Sequence, residues 1–121
     1  MLLNFGPAAG RLRERIAQPD ETLHVPHLFD VEVLNVLRRH ALRGALSEAR
    51  ARLALRRLSG AALDRYPHGP LVARIWDLRD SLTAYDAAYV ALAEALDAPL
   101  VTTDGRLARA SEHRARVELY S

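Results

Sequence analysis

Ser81-Leu-Thr83-Ala-Tyr85-Asp86-Ala-Ala-Tyr89-Val-Ala-Leu-Ala-Glu94-Ala-Leu96-Asp97-Ala-Pro99-Leu-Val-Thr-Thr103-Asp104-Gly105-Arg106-Leu-Ala-Arg109 decides the fold of this chain. It reads as helix, strand, helix. Thr83 is a good N-cap, and Leu82, Tyr89, Val90, Ala93 and Leu96 recur at helical spacing in an Ala/Leu/Glu-rich segment. Pro99 stops that helix. Leu100-Val-Thr-Thr103 is then a short, β-branched, apolar run of the kind found in buried parallel strands. Asp104-Gly105 ends the strand, and Arg106–Arg109 opens a further helix. Asp86 therefore stands at a helix start and Asp104 just outside the carboxyl end of a strand, where α/β proteins present chemistry.

Each acid has two readings. Three residues after Thr83, Asp86 is placed to complete a capping box; Asp104 is placed to cap the helix that follows it. The alternative is that both face one cleft, which requires a third acid converging on them.

Working outward, 121 residues with 50% apolar content are enough for one compact α/β domain. The absence of Cys excludes disulfides and thiolate metal sites, in keeping with a reducing, cytoplasmic setting. The sequence shows neither a membrane-spanning apolar run nor a signal-peptide pattern. Net charge is +2, and every one of the 17 basic residues is Arg, the side chain suited to bidentate phosphate contacts. Clusters such as Arg38-Arg39 and Arg50/Arg52/Arg56/Arg57 fit nucleic acid or, equally, a solvated helix face.

Upstream, Pro7–Ala17 has a helical pattern, and Thr22–Val25 is a short strand. The spacing predicts helices over Leu28–Leu42, ended by Gly44, and over Glu48–Leu58, capped by Ser47. Leu63–Tyr66 is strand or loop, Leu71–Leu82 an amphipathic helix, and Arg116–Tyr120 a final strand. The Leu28–Leu42 segment is so apolar that most of its surface is expected to be buried. Within it Glu32 and Asn35 lie one turn apart, with Arg39 a further turn on. A carboxylate there needs a partner, water or a metal; the choice is a Glu32–Arg39 pair or a Glu32 aimed at the cleft. Trp76, Tyr85 and Tyr89 have the apolar spacing of core or dimer-surface residues. His24 and His27 lack metal spacing.

Three blocks, Val25–Arg39, Leu82–Ala93 and Leu100–Leu107, resemble in order the PIN-domain ribonucleases, and more closely the VapC toxins of bacterial toxin–antitoxin pairs. The family's Glu in its E-V-x-N-V-L helix corresponds to Glu32. The Asp of Y-D-A-x-Y-x-A-L-A corresponds to Asp86, and that of L-x-T-x-D to Asp104. The resemblance implies a three-layer α/β/α fold with a short parallel sheet and a metal-dependent endoribonuclease. Glu32, Asp86 and Asp104 would be catalytic groups holding Mg²⁺ or Mn²⁺, with RNA as substrate, a VapB-type antitoxin as partner and a homodimer as assembly. In this reading Asn35 and Thr103 orient the ligands, and Arg39 and Arg106 touch RNA phosphates. The three carboxylates are expected within roughly 4–8 Å of each other, the span bridged by one or two ions and waters.

PIN domains open with a short apolar strand ending in an Asp that is a metal ligand. Met1–Pro7 instead resembles the end of the family's first helix, so the expectation for residues 1–121 is a single PIN-like domain without its first central strand. The functional alternative is accordingly a catalytically impaired PIN-like module that only binds an antitoxin or a dimer partner.

Overall fold

The computed structural model describes residues 22–102, 107, 109–110 and 113–119. The helix predicted over Pro7–Ala17, the expectation about the first strand, and Thr103, Asp104 and Arg106 lie outside these residues. The described elements run β1 (Leu23–Pro26), α1 (Leu28–Leu42), α2 (Glu48–Gly60) and β2 (Leu63–Tyr66). A 3-10 turn (Gly69–Leu71) leads into α3 (Val72–Asp77), followed by α4 (Ala84–Leu96), β3 (Leu100–Thr102) and β4 (Val117–Leu119). Helices are joined to parallel strands, as the α/β reading requires.

α4 is the pillar. Thr83 caps it through Oγ1, which accepts the Asp86 N–H at 3.2 Å. Its residues Ala87 to Ala93 are buried without interruption, and Asp97 ends it in the left-handed conformation at φ 49°. Small side chains on this helix allow strands to approach on one side while Leu71 packs against Ala91 and Leu92 on the other. One core joins Val25 of β1, Phe29 of α1, Tyr89, Val90 and Ala93 of α4, and Leu100 of β3.

The sheet is in two halves. β1 pairs in parallel with β2, Leu23 opposite Leu63 and Pro26 opposite Tyr66; β3 pairs in parallel with β4, Leu100 opposite Val117. Between the halves runs a groove walled by Leu23 and His24 on one side and Leu100 and Val101 on the other, and floored by Tyr89, Leu92, Ala93 and Leu96. No residue of β2 or β4 lines it, so it lies along the strand edges turned away from their partners.

Two expectations need correction. α3 ends at Asp77, not near Leu82: the Leu78 N–H bonds the carbonyls of both Arg74 and Ile75, tightening the chain into turns that bury Leu78 completely. In α1 only Phe29 is buried; Val31, Leu34 and Leu42 are exposed, and Val33, Val36 and Leu37 line an open groove beside α2. Of the three aromatic residues with core or dimer-surface spacing, Tyr89 is in the core and the other two are at the surface. Trp76 is exposed beneath the Arg79 guanidinium, 4.5 Å from the ring centroid, and Tyr85 is exposed as well. Among the described residues no helix is long and apolar enough to cross a membrane.

Candidate active site

The site begins where Glu32 of α1 reaches Tyr89 of α4. Pro26 ends β1, and α1 starts two residues later, its first N–H (Leu28) donating to His68 Nε2 at 3.1 Å. Asp30 falls in the first turn and Glu32 half a turn beyond it. Glu32 is half-buried and turned toward α4, where its Oε1 accepts the Tyr89 hydroxyl at 2.5 Å. Tyr89 is 3% exposed. A buried phenol requires a hydrogen-bond partner, and a carboxylate makes the bond charge-assisted. Glu32 is therefore satisfied by Tyr89, the partner that replaces the Glu32–Arg39 alternative.

Asp86 precedes Tyr89 by three residues and shares its face of α4, in the first turn, where the helix dipole favours a negative charge. The environment is electrically negative. Burial first, then the hydrogen bond to Glu32, then the charges of Glu32, Asp86 and Asp30 all hold the Tyr89 hydroxyl against ionisation and push its pKa well above the ordinary tyrosine value. Glu32 from one helix and Asp86 from another thus both act on a single hydroxyl. Asn35 and Arg39 lie one and two turns farther along α1, both exposed. Among the described residues no group of three or more His, Asp or Glu side chains is set to hold a metal; Asp104 and Thr103 are outside them. The donors that are described, two carboxylates, have the hard-oxygen chemistry of a Mg²⁺ or Mn²⁺ ligand set.

Two features of this neighbourhood escaped the sequence reading. The apolar spacing of Tyr89 assigns it to the core or a dimer surface, although its i,i+3 relation to Asp86 places it beside the candidate acid. Asp30 carries no local signal. Its carboxylate takes a two-pronged bond from Arg65 on β2, Nε to Oδ2 at 2.7 Å and Nη2 to Oδ1 at 3.0 Å, and Arg65 also donates to the Leu58 carbonyl. Thirty-five residues separate the partners, and no local pattern signals such a bond. With Arg65 opposite it, Asp30 brings a compensated charge to the site, and β2 is fastened to α1.

Apart from this site, two polar clusters tie the fold together. His24 Nδ1 meets the Tyr66 hydroxyl at 2.7 Å across the β1–β2 pair. Glu94 receives Arg74 Nε and Nη2 at 2.7 and 3.0 Å and the Arg114 N–H at 2.6 Å, joining α3, α4 and the segment before β4.

Comparison with known proteins shows the family. The PIN domain family model matches residues 4–113. Ribonuclease VapC9 of Mycobacterium tuberculosis is 52% identical over 106 residues, covering 88% of this chain and 79% of the relative. Ribonuclease VapC1 of the same organism is 49% identical over 102 residues, covering 84% and 72%. Ribonuclease VapC12 is 38% identical over 113 residues, covering 93% and 86%. A family match across most of the chain agrees with the short parallel strands and the helices around them. The chain belongs to the PIN-domain family and stands there with the VapC ribonucleases.

Proposed function

We propose that this chain is a divalent-metal-dependent endoribonuclease, the toxin of a toxin–antitoxin pair, with Glu32, Asp86 and Asp104 as the ligands of Mg²⁺ or Mn²⁺. The observation that carries the reading is the reach of Glu32 from α1 to the Tyr89 hydroxyl, one helical turn from Asp86 on α4. Glu32, Asp86 and Asp104 would hold the cation, whose chemistry there would be a water of lowered pKa and stabilisation of charge at the scissile phosphate.

The chain's own residues do the rest. Tyr89 anchors one oxygen of Glu32 and leaves the other free to turn outward. Thr83 fixes the first turn of α4 and with it the backbone that carries Asp86. Arg65 occupies Asp30, so the neighbouring acids do not add a further uncompensated charge. Asn35 and Thr103 orient ligands or water, while Arg39 and Arg106 bind phosphates of the RNA backbone.

A VapB-type antitoxin is the partner in this reading. The open groove between α1 and α2, about 870 Å³, is lined by Val33, Val36, Leu37, Leu53 and Leu58 with Arg50 and Arg57 among them. An amphipathic helix with acidic flanks suits such a surface. A homodimer in the cytoplasm completes the proposal.

The test is RNA cleavage by the purified chain with Mg²⁺, Mn²⁺ or EDTA. Cleavage is expected only with the cations, and Glu32→Gln and Asp86→Asn should each abolish it without altering the circular dichroism spectrum. Equal cleavage in EDTA, or by both variants, would overturn the assignment. A chain that binds its antitoxin and cuts no RNA under any of these conditions would instead be the binding-only module.

A further inference from the structure

We propose that Tyr89 is the positioning residue of the site: its buried hydroxyl fixes the Glu32 carboxylate and so sets where α1 presents its ligand relative to Asp86. The relevance to cation binding rests on the proposed function above; the positioning itself does not.

Glutamate has three side-chain torsions, so a half-buried Glu32 left to itself would sample several carboxylate positions. Tyrosine has two, and those of Tyr89 are locked, because the ring is 3% exposed and packed in the core shared by Val25, Phe29, Val90 and Leu100. The hydroxyl is thus a fixed point of the fold. At 2.5 Å from Oε1 it transfers that fixity to Glu32. The same residue stands three positions after Asp86 on a helix whose next four residues are all buried, so the backbone bearing Asp86 is equally constrained. One ring therefore couples the acid on α1 to the acid on α4. The bond occupies a single oxygen and leaves Oε2 for a ligand, as expected of a group that orients a carboxylate without competing for it. A ring present only as filler would be served as well by Phe, and its tip would not then meet a carboxylate.

Tyr89→Phe retains the ring and deletes the hydroxyl. Two measurements on the metal-free and Mn²⁺-titrated protein decide the matter. In EDTA, the NMR order parameter of the Glu32 side chain is expected to fall in Tyr89→Phe while the circular dichroism spectrum is retained. On titration with Mn²⁺, followed by calorimetry, affinity is expected to weaken about tenfold, the lower end of what partners of metal ligands carry. An unchanged Glu32 order parameter overturns the proposal whatever the metal does. A lowered order parameter with unchanged Mn²⁺ affinity also overturns it, since positioning would then have no consequence for the site. Loss of Glu32 order in the variant, with no Mn²⁺ bound by the parent chain either, leaves Tyr89 positioning Glu32 and refutes the metal-ligand reading instead.

Discussion

Replacing Arg74 by Met should destabilise the protein strongly and in a pH-dependent way. The side chain of Glu94 is 5% exposed and that of Arg74 29% exposed, so the bidentate bond between them is screened little by water. The Arg74 hydrogen bonds hold the Glu94 carboxyl below its ordinary pKa; burial opposes them, and the Arg114 N–H assists. Removing one partner of such a pair strands the other, at a cost of about 3–5 kcal/mol. The Arg114 N–H still reaches Glu94 in the variant, so the lower end, about 3 kcal/mol, applies. With an unfolding entropy of about 2.1 cal/mol/K per residue over 121 residues, that loss lowers Tm by about 12 °C. The pH dependence follows from the sign of the shift. Glu94 binds its proton less readily when folded than unfolded, so its contribution is complete above the unfolded value of about 4.3 and is lost as pH falls through the folded value. The gap between parent and Arg74→Met, wide at pH 7, should therefore narrow on acidification. Adding Glu94→Met to Arg74→Met removes the stranded charge and should recover much of the loss. Melts followed by circular dichroism between pH 3 and 7 provide the measurement. A variant that melts within about 3 °C of the parent at pH 7, or a gap independent of pH, would show that the pair acts as an exposed one and refute the reasoning.

Four further substitutions probe stability, and one of them also probes function. Thr83→Ala and Ser47→Ala each remove an N-cap acceptor, for Asp86 N–H and Arg50 N–H respectively, and each should cost about 1 kcal/mol in urea denaturation. Only Thr83→Ala should also lower cleavage, because only that cap supports Asp86. Gly44→Ala should cost about 1–2 kcal/mol from its positive φ alone, since no atom lies within 4 Å of the added methyl carbon; a neutral result in urea would mean the turn relaxes. Leu78→Ala, at a completely buried position, should lose about 3 kcal/mol or more by the same assay, and a loss below 1 kcal/mol would mean the turn after α3 collapses into the space.

The sequence was informative wherever a local rule decides the outcome. Ser47 and Thr83 announce α2 and α4 because an N-cap is a short-range hydrogen bond, and Pro99 marks the passage to β3 because it cannot continue a helix. Glu32 and Asp86 stand out because an acid within an apolar helix, or at a helix start in an α/β pattern, has few inexpensive environments. The rest depended on contacts between distant segments. The amphipathic stripe of Leu71, Ile75 and Leu78 is correct, yet the helix stops early because Leu78 is drawn into the core by a turn. α1 is apolar along its length, and periodicity cannot distinguish a side covered by its own fold from one left as a groove. Tyr89 with Glu32, and Arg65 with Asp30, are 57 and 35 residues apart, so the polar framework of the site emerges only once the helices are packed.

α4 and α2 stand at opposite extremes of burial: seven consecutive buried residues in one, none in the other. Local opening free energy follows such differences, so backbone amides of α4 should exchange with solvent only when the whole domain unfolds, whereas those of α2 should exchange through small local openings. The α2 wall of the apolar groove should thus yield well before α4. A docking segment would meet a rigid face on α1, anchored by Phe29 and by the Arg65 clasp, and an adjustable one on α2. Association should then be accompanied by slowed exchange concentrated in Glu48–Gly60, with ordering of that helix setting the pace of release.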